Sequence, residues 1–185
     1  KSNIAVNMAA AMAQSGRRVV LLDADLGLAN ADVLCSITPR RTIEHVLDGR
    51  ATLRDIMVPG PGGFMLVPGA SGVAGMADLE PHQRQILLRE LARLERSADV
   101  ILVDTGAGIS RSVVGFAAAA EHVMVVCTPE PTSITDAYGM IKSLLAASRD
   151  ISIRLLVNMV ESEAEGRDVH HRMQQACSTF LRYPI

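Results

Sequence analysis

The sequence predicts an α/β fold, three layers with a mostly parallel sheet between helices, and three observations carry that reading. Apolar runs at residues 19–22 and 100–103 are continuous rather than alternating, as expected of strands buried on both faces of a parallel sheet, and residues 123–127 and 153–157 read as further strands. Helical patterns separate them, and such alternation favours parallel strands joined by helical crossovers. Polar residues follow the runs at once, Asp23 and Asp25 after the first, Asp104 after the second and Asn158 after the last. A strand delivers such residues to the carboxyl edge of the sheet, where open α/β folds bind ligands.

Composition bounds the answer. A chain of 185 residues, 49% hydrophobic and 21% charged, is long enough for a substantial core and is not a disordered composition. Lys and Arg number 18 against 20 Asp and Glu, a net charge of −2, which gives no support to a general nucleic-acid binder. Aromatic residues make up only 3% and Trp is absent, so stacking platforms for single-stranded bases are not expected. Cys35, Cys127 and Cys177 lie far apart without metal-ligand spacing, which favours buried or incidental thiols in a reducing cytosol. No apolar run reaches the roughly 18 residues that a bilayer span requires.

Taken in order, residues 4–14 read as a helix, with Ile4, Met8, Ala11 and Met12 on one face and Gly16 as the stop. Lys1-Ser2 opens directly into it, so the chain is expected to be a fragment, trimmed in front and also behind Ile185. Residues 26–33 read as a loop with one helical turn. Residues 42–47 form a short helix capped by Thr42, and residues 52–57 another turn. The cluster at 59–63 lacks a following helix and Lys-Ser/Thr pair, so it is a turn and not a phosphate loop. Residues 64–67 make a short strand, 69–79 a flexible connection, and 82–96 the clearest amphipathic helix, with Leu87, Leu91 and Leu94 in one stripe. Helices at 110–120, 135–147 and 164–181 complete the alternation. The methionines, Met8, Met12, Met65 and Met140 among them, are expected to fill gaps in the core.

The chemistry gathers at the strand ends. Lys1-Ser2 at a helix start fits the last two positions of a G-x-x-x-x-G-K-[ST] loop: helix N–H groups attract phosphate, Lys adds a charge, and Ser can ligate Mg²⁺. Asp23 and Asp25, one residue apart, are candidate ligands of a metal or its water, although an Asp after a strand also serves as a loop residue or helix cap. Asp104 suits the carboxylate that holds Mg²⁺ in P-loop nucleotidases, and Gly106 and Gly108 let the next backbone respond to a γ-phosphate. Asp104-Thr105-Gly106 also spells an aspartic-protease tripeptide, but it occurs once and among helices, where those enzymes need two in an all-β frame. His170-His171 point about 100° apart on a helix without a third ligand, and read as a solvated face.

Together the segments K-S-N-I-A-V-N-M-A, R-R-V-V-L-L-D-A-D-L-G-L-A-N-A-D-V-L, V-D-T-G-A-G-I-S, T-P-E-P-T-S-I-T-D-A-Y and N-M-V-E-S-E-A-E-G resemble the MinD/ParA family of deviant P-loop ATPases. Within it the likeness is to the regulators of flagellum number. The resemblance implies binding of ATP/ADP with Mg²⁺, an ATP-dependent homodimer, slow hydrolysis, and a cytoplasmic protein that docks on the inner face of the cell membrane. It implies an FlhF-like signal-recognition-type GTPase and flagellar switch proteins as partners, and no specific nucleic acid. Lys1 would contact the β/γ-phosphates, Ser2 would ligate Mg²⁺, and Asp25 would position or activate the attacking water. Asp23 would sit near the metal, Asp104 would be a further Mg²⁺ carboxylate, and Asn158 would contact adenine. The family's signature lysine, the strand that carries it in mid-sheet, and the membrane-docking helix would lie outside residues 1–185. A ParA- or MinD-type positioning ATPase and a catalytically silent binding module on the same fold are the alternatives.

Overall fold

A computed structural model describes residues 1–70 and 79–185, so most of the connection expected at 69–79 lies outside the described residues. The chain divides into two compact units, Lys1–Ala107 and Gly108–Ile185.

The first unit opens with helix α1 (Ser2–Gln14), which turns at Ser15-Gly16 into strand β1 (Val19–Ala24). All six β1 residues are buried. Short helices α2 (Ala31–Leu34), α3 (Ile43–Leu47) and α4 (Leu53–Ile56) lead to β2 (Val58–Pro59), a 3₁₀ turn at Pro61–Gly63 and β3 (Met65–Val67). Helix α5 (Pro81–Leu94) and strand β4 (Val100–Thr105) complete the unit. The strand order is β2-β3-β1-β4, with β1 parallel to both neighbours and β2 antiparallel to β3. One face of β1, Val19 and Leu21, packs with Leu66 of β3, Phe64 and the α1 residues Val6 and Ala9. Val20 and Leu22 point the other way, as the pleat demands.

Asp104 stands at the end of its strand as expected, one residue before the last of β4, while one expectation shifts. Val100–Val103 are half-buried and not fully buried; among the described residues β4 pairs with β1 alone. The β2 strand was not expected at all, since two residues including a proline give no pattern to read; Pro59 is tolerated there as sheet-edge prolines are.

The short elements are held by caps. Thr52 accepts the Asp55 N–H at 3.3 Å while Asp55 accepts the Thr52 N–H at 2.9 Å, a reciprocal capping box. Thr42 caps α3, as expected, with the His45 ring as the reciprocal acceptor. Glu90 of α5, only 8% exposed, accepts the Leu53 N–H at 3.1 Å and pairs with Arg93, which fixes the start of α4 on α5.

The second unit holds α6 (Arg111–Ala118), β5 (His122–Cys127), α7 (Pro131–Ala147), β6 (Ser152–Val157) and α8 (Glu163–Ala176), the last running into a π turn at Cys177–Leu181. β5 and β6 are parallel, and Ile141, Leu144 and Leu145 of α7 pack with Val125, Ile153 and the α8 residues Val169 and Met173. α7 begins a turn before the expected Thr135, because Pro131 at its first position lacks only an N–H that the first turn does not use. The Tyr183 hydroxyl donates to the Ile151 carbonyl at 2.7 Å and accepts the Ile153 N–H at 3.2 Å, so the tail is tied to the start of β6. Met173 fills core as expected, but Met159 and Met124 are exposed. The three thiols are unpaired, with Cys127 and Cys177 buried. Among the described residues no helix is long and apolar enough to cross a membrane.

Candidate functional site

Lys1 is the N-cap of α1, and its carbonyl accepts the Ala5 N–H at 3.0 Å. The N–H groups of Ser2, Asn3 and Ile4 therefore have no partner within the helix, and no acidic side chain in the first turn offsets the positive end of its dipole. The Lys1 ammonium reaches the end of β4, where Nζ donates to the Gly106 carbonyl at 2.7 Å and the Thr105 carbonyl at 3.2 Å. Lys1 is exposed as a residue, yet its ammonium is tucked against these carbonyls. That burial lowers its pKa, and the attraction of Asp104 and Asp25 works in the opposite direction.

The parallel register sets Asp23 of β1 opposite Asp104 of β4. Asp23 is 1% exposed, and both its oxygens are occupied: Oδ1 accepts the Asp25 N–H at 3.2 Å, and Oδ2 accepts the Asn30 and Ala31 N–H groups at 2.9 Å each. Burial raises its pKa most, the N–H bonds from Ala31, Asp25 and Asn30 lower it, and repulsion from Asp104 raises it further. Asp25, half-buried, stands one residue beyond β1, and its Oδ1 accepts the Leu28 N–H at 3.3 Å. Asp104 is 6% exposed, and its Oδ2 has no hydrogen-bond partner.

An orphaned buried carboxylate oxygen is costly unless something satisfies it, and a hydrated cation is an apt partner. Among the described residues no group of three or more His, Cys, Asp or Glu could hold a metal ion by itself. A cation beside Asp104 would thus draw on a hydroxyl such as that of half-buried Ser2, on water and on the oxygens of a bound phosphate, which is how Mg²⁺ commonly binds.

Two glycines keep this end of the sheet open. A Cβ on Gly106 would lie 3.1 Å from Asp25 Oδ1. One on Gly69, after β3, would lie 2.8 Å from the Asp23 carbonyl and 2.7 Å from the Ala29 Cβ. Sequence reasoning did not single out Gly69, although Pro68-Gly69 directly after a strand is a signal of close backbone approach. Unit one thus brings together Lys1, Asp23, Asp25, Asp104 and Gly106, with Ser2 next in sequence to Lys1. Gly108 and Asn158 belong to the second unit. Gly108 has φ +83°, and Asn158 follows β6 with its N–H donated to the Cys127 carbonyl at 2.8 Å.

Residues 1–185 match the CobQ/CobB/MinD/ParA nucleotide binding domain along their whole length. The chain belongs to that family. The antiactivator FleN of Pseudomonas aeruginosa is 48% identical over 181 residues, which cover 98% of this chain and 65% of FleN. The flagellum site-determining protein YlxH of Helicobacter pylori is 36% identical over 173 residues, 94% of this chain and 58% of YlxH. The chain spans less than two thirds of the length of either relative. The septum site-determining protein MinD of Pyrococcus horikoshii, complexed with Mg-ADP, superposes with a TM-score of 0.76 at 23% identity, covering 91% of this chain and 71% of that one. That likeness is one of fold, an α/β architecture with a mostly parallel sheet, and agrees with the fold class read from the sequence.

Proposed function

We propose that residues 1–185 act as the ATPase domain of a molecular switch that hydrolyses ATP, dimerises when ATP is bound, and regulates the number and placement of flagella. The observation that carries the ATPase reading is the Lys1 ammonium, at an uncompensated helix N-terminus, held on the Thr105 and Gly106 carbonyls that directly follow Asp104. The 48% identity to FleN supports the flagellar reading. The partners that fit it are an FlhF-like GTPase, flagellar switch proteins and the inner membrane surface, engaged peripherally by this cytoplasmic protein.

In this mechanism the first-turn N–H groups of α1 and the Lys1 ammonium receive the β- and γ-phosphates, releasing Lys1 from the carbonyls of Thr105 and Gly106. Ser2 and Asp104 would hold Mg²⁺, with Asp23 close by, and the ion would supply positive charge against the charge of the phosphates. Asp25 holds a water in line with the γ-phosphorus and takes up its proton as the P–O bond to ADP cleaves. Gly106 and Gly108 let the segment after β4 follow the γ-phosphate, and Asn158 contacts the adenine.

The test is Asp25→Ala in the full-length protein. Mg-ATP binding is expected to persist in an equilibrium titration while turnover falls by about 100-fold or more, the usual scale for losing a proton acceptor. Turnover at the wild-type rate would remove Asp25 from its role.

A further inference from the structure

Asp23 carries the observation that the mechanism leaves over. It is 1% exposed, and its two oxygens collect three backbone N–H groups, from Asp25, Asn30 and Ala31. None of these donors lies in a regular strand or helix interior: Asp25 and Asn30 bound the loop after β1, and Ala31 is the first residue of α2. A carboxylate accepting three N–H groups has little directed acceptor capacity left for a cation. The neighbouring carboxylate, Asp104, shows the opposite state, a buried oxygen with no partner.

We infer that Asp23 is a positioning residue and not a metal ligand: it clamps both ends of the 25–31 loop and thereby fixes where Asp25 holds water. The inference rests on the nucleotidase reading for its consequence, but the clamp itself is a property of the loop. Between the clamped ends the Leu28 N–H ties back to the carboxylate and the carbonyl of Asp25. Loosening the clamp lets Asp25 wander relative to the Lys1 ammonium. Gly69 serves the same end, because its missing Cβ is what allows the β3 end to press on Asp23 and Ala29.

Asp23→Asn is the decisive variant. The amide keeps one acceptor oxygen but turns a donor toward a donor, so at least one of the three N–H groups loses its partner whichever way the amide faces. In the nucleotide-free full-length protein, amide hydrogen exchange across residues 26–31 is expected to quicken by about tenfold or more, the equivalent of one lost hydrogen bond. Asp104→Asn leaves that exchange unchanged. In turnover, Asp23→Asn is expected to lower kcat by about 10–100-fold, the scale of a misplaced reacting group. The Mg²⁺ concentration for half-maximal rate should stay within about twofold of wild type, whereas Asp104→Asn shifts it. A large rise in the Mg²⁺ requirement of Asp23→Asn with loop exchange unaltered would make Asp23 a metal ligand and overturn the proposal. So would wild-type kcat and exchange together. If Asp23→Asn fails to fold, residue-resolved exchange in the wild-type protein decides: protected Asn30 and Ala31 amides support the clamp, and exchange at the open-chain rate overturns it. Absence of any ATPase activity would count against the proposed function, while the exchange measurements would still decide the clamp.

Discussion

At the scale of single residues, the chemistry divides between two carboxylates that the sequence presents alike. Asp23 and Asp104 each end an apolar run, yet one is saturated by N–H donors and the other keeps a bare buried oxygen. The difference was not legible, because two of the donors to Asp23 come from seven and eight residues away, on a loop whose path no periodicity encodes. Lys1 was readable only in company with the other motifs, since a Lys-Ser pair at a helix start says little alone, and its contact with the Gly106 carbonyl brings two sequence-distant motifs together. A third carboxylate makes an acid-range prediction. The Arg18 side chain, aided by its backbone N–H, holds Asp99 down to about 2 from an ordinary 3.8. A depressed carboxylate contributes stability that is complete above its unfolded value and is lost as pH falls through its folded one. Asp99→Asn is therefore expected to flatten the loss of stability between roughly pH 4 and pH 2, read by denaturant midpoints across that range.

Among the elements, those with long patterns were found where the sequence put them, and the short ones depended on signals of a different kind. Residues 19–22 read as a buried strand because nothing but branched apolar side chains occupies them, and β1 is buried throughout. Thr42 announced α3 through capping chemistry that a single residue carries, whereas residues 52–57 were read only as a turn and Thr52 proves to cap α4. β2 escaped notice because it has no pattern, only a partner. The expected burial of residues 100–103 was too high, since a run of Val, Ile and Leu reports apolar surroundings without reporting how many strands flank it. Glu90 shows what such short elements need: α4 is too brief to hold itself, so a carboxylate on α5 takes the N–H of its first residue. Glu90→Ala would leave the Leu53 N–H buried and unpaired, and is expected to cost about 1–3 kcal/mol in chemical denaturation. A change within measurement error would show that the clasp is dispensable.

Across the whole molecule, the family follows from the match over residues 1–185, and the switch that we propose makes its own demand on the oligomeric state. The full-length protein is expected to sediment as a monomer without nucleotide, and Asp25→Ala to accumulate as a dimer with Mg-ATP. A monomer under both conditions would speak against the dimer part of the proposal. Binding to DNA that weakens steeply with salt would instead move the reading toward a partition ATPase. One contact in the second unit bears on how copies of the protein coexist. The Tyr183 phenol occupies the hydrogen-bonding positions of Ile151 and Ile153 that an intruding extended peptide would need. Held there, it is expected to oppose strand addition. Tyr183→Phe should accordingly betray itself through slow, concentration-dependent scattering on storage, well before any loss of turnover.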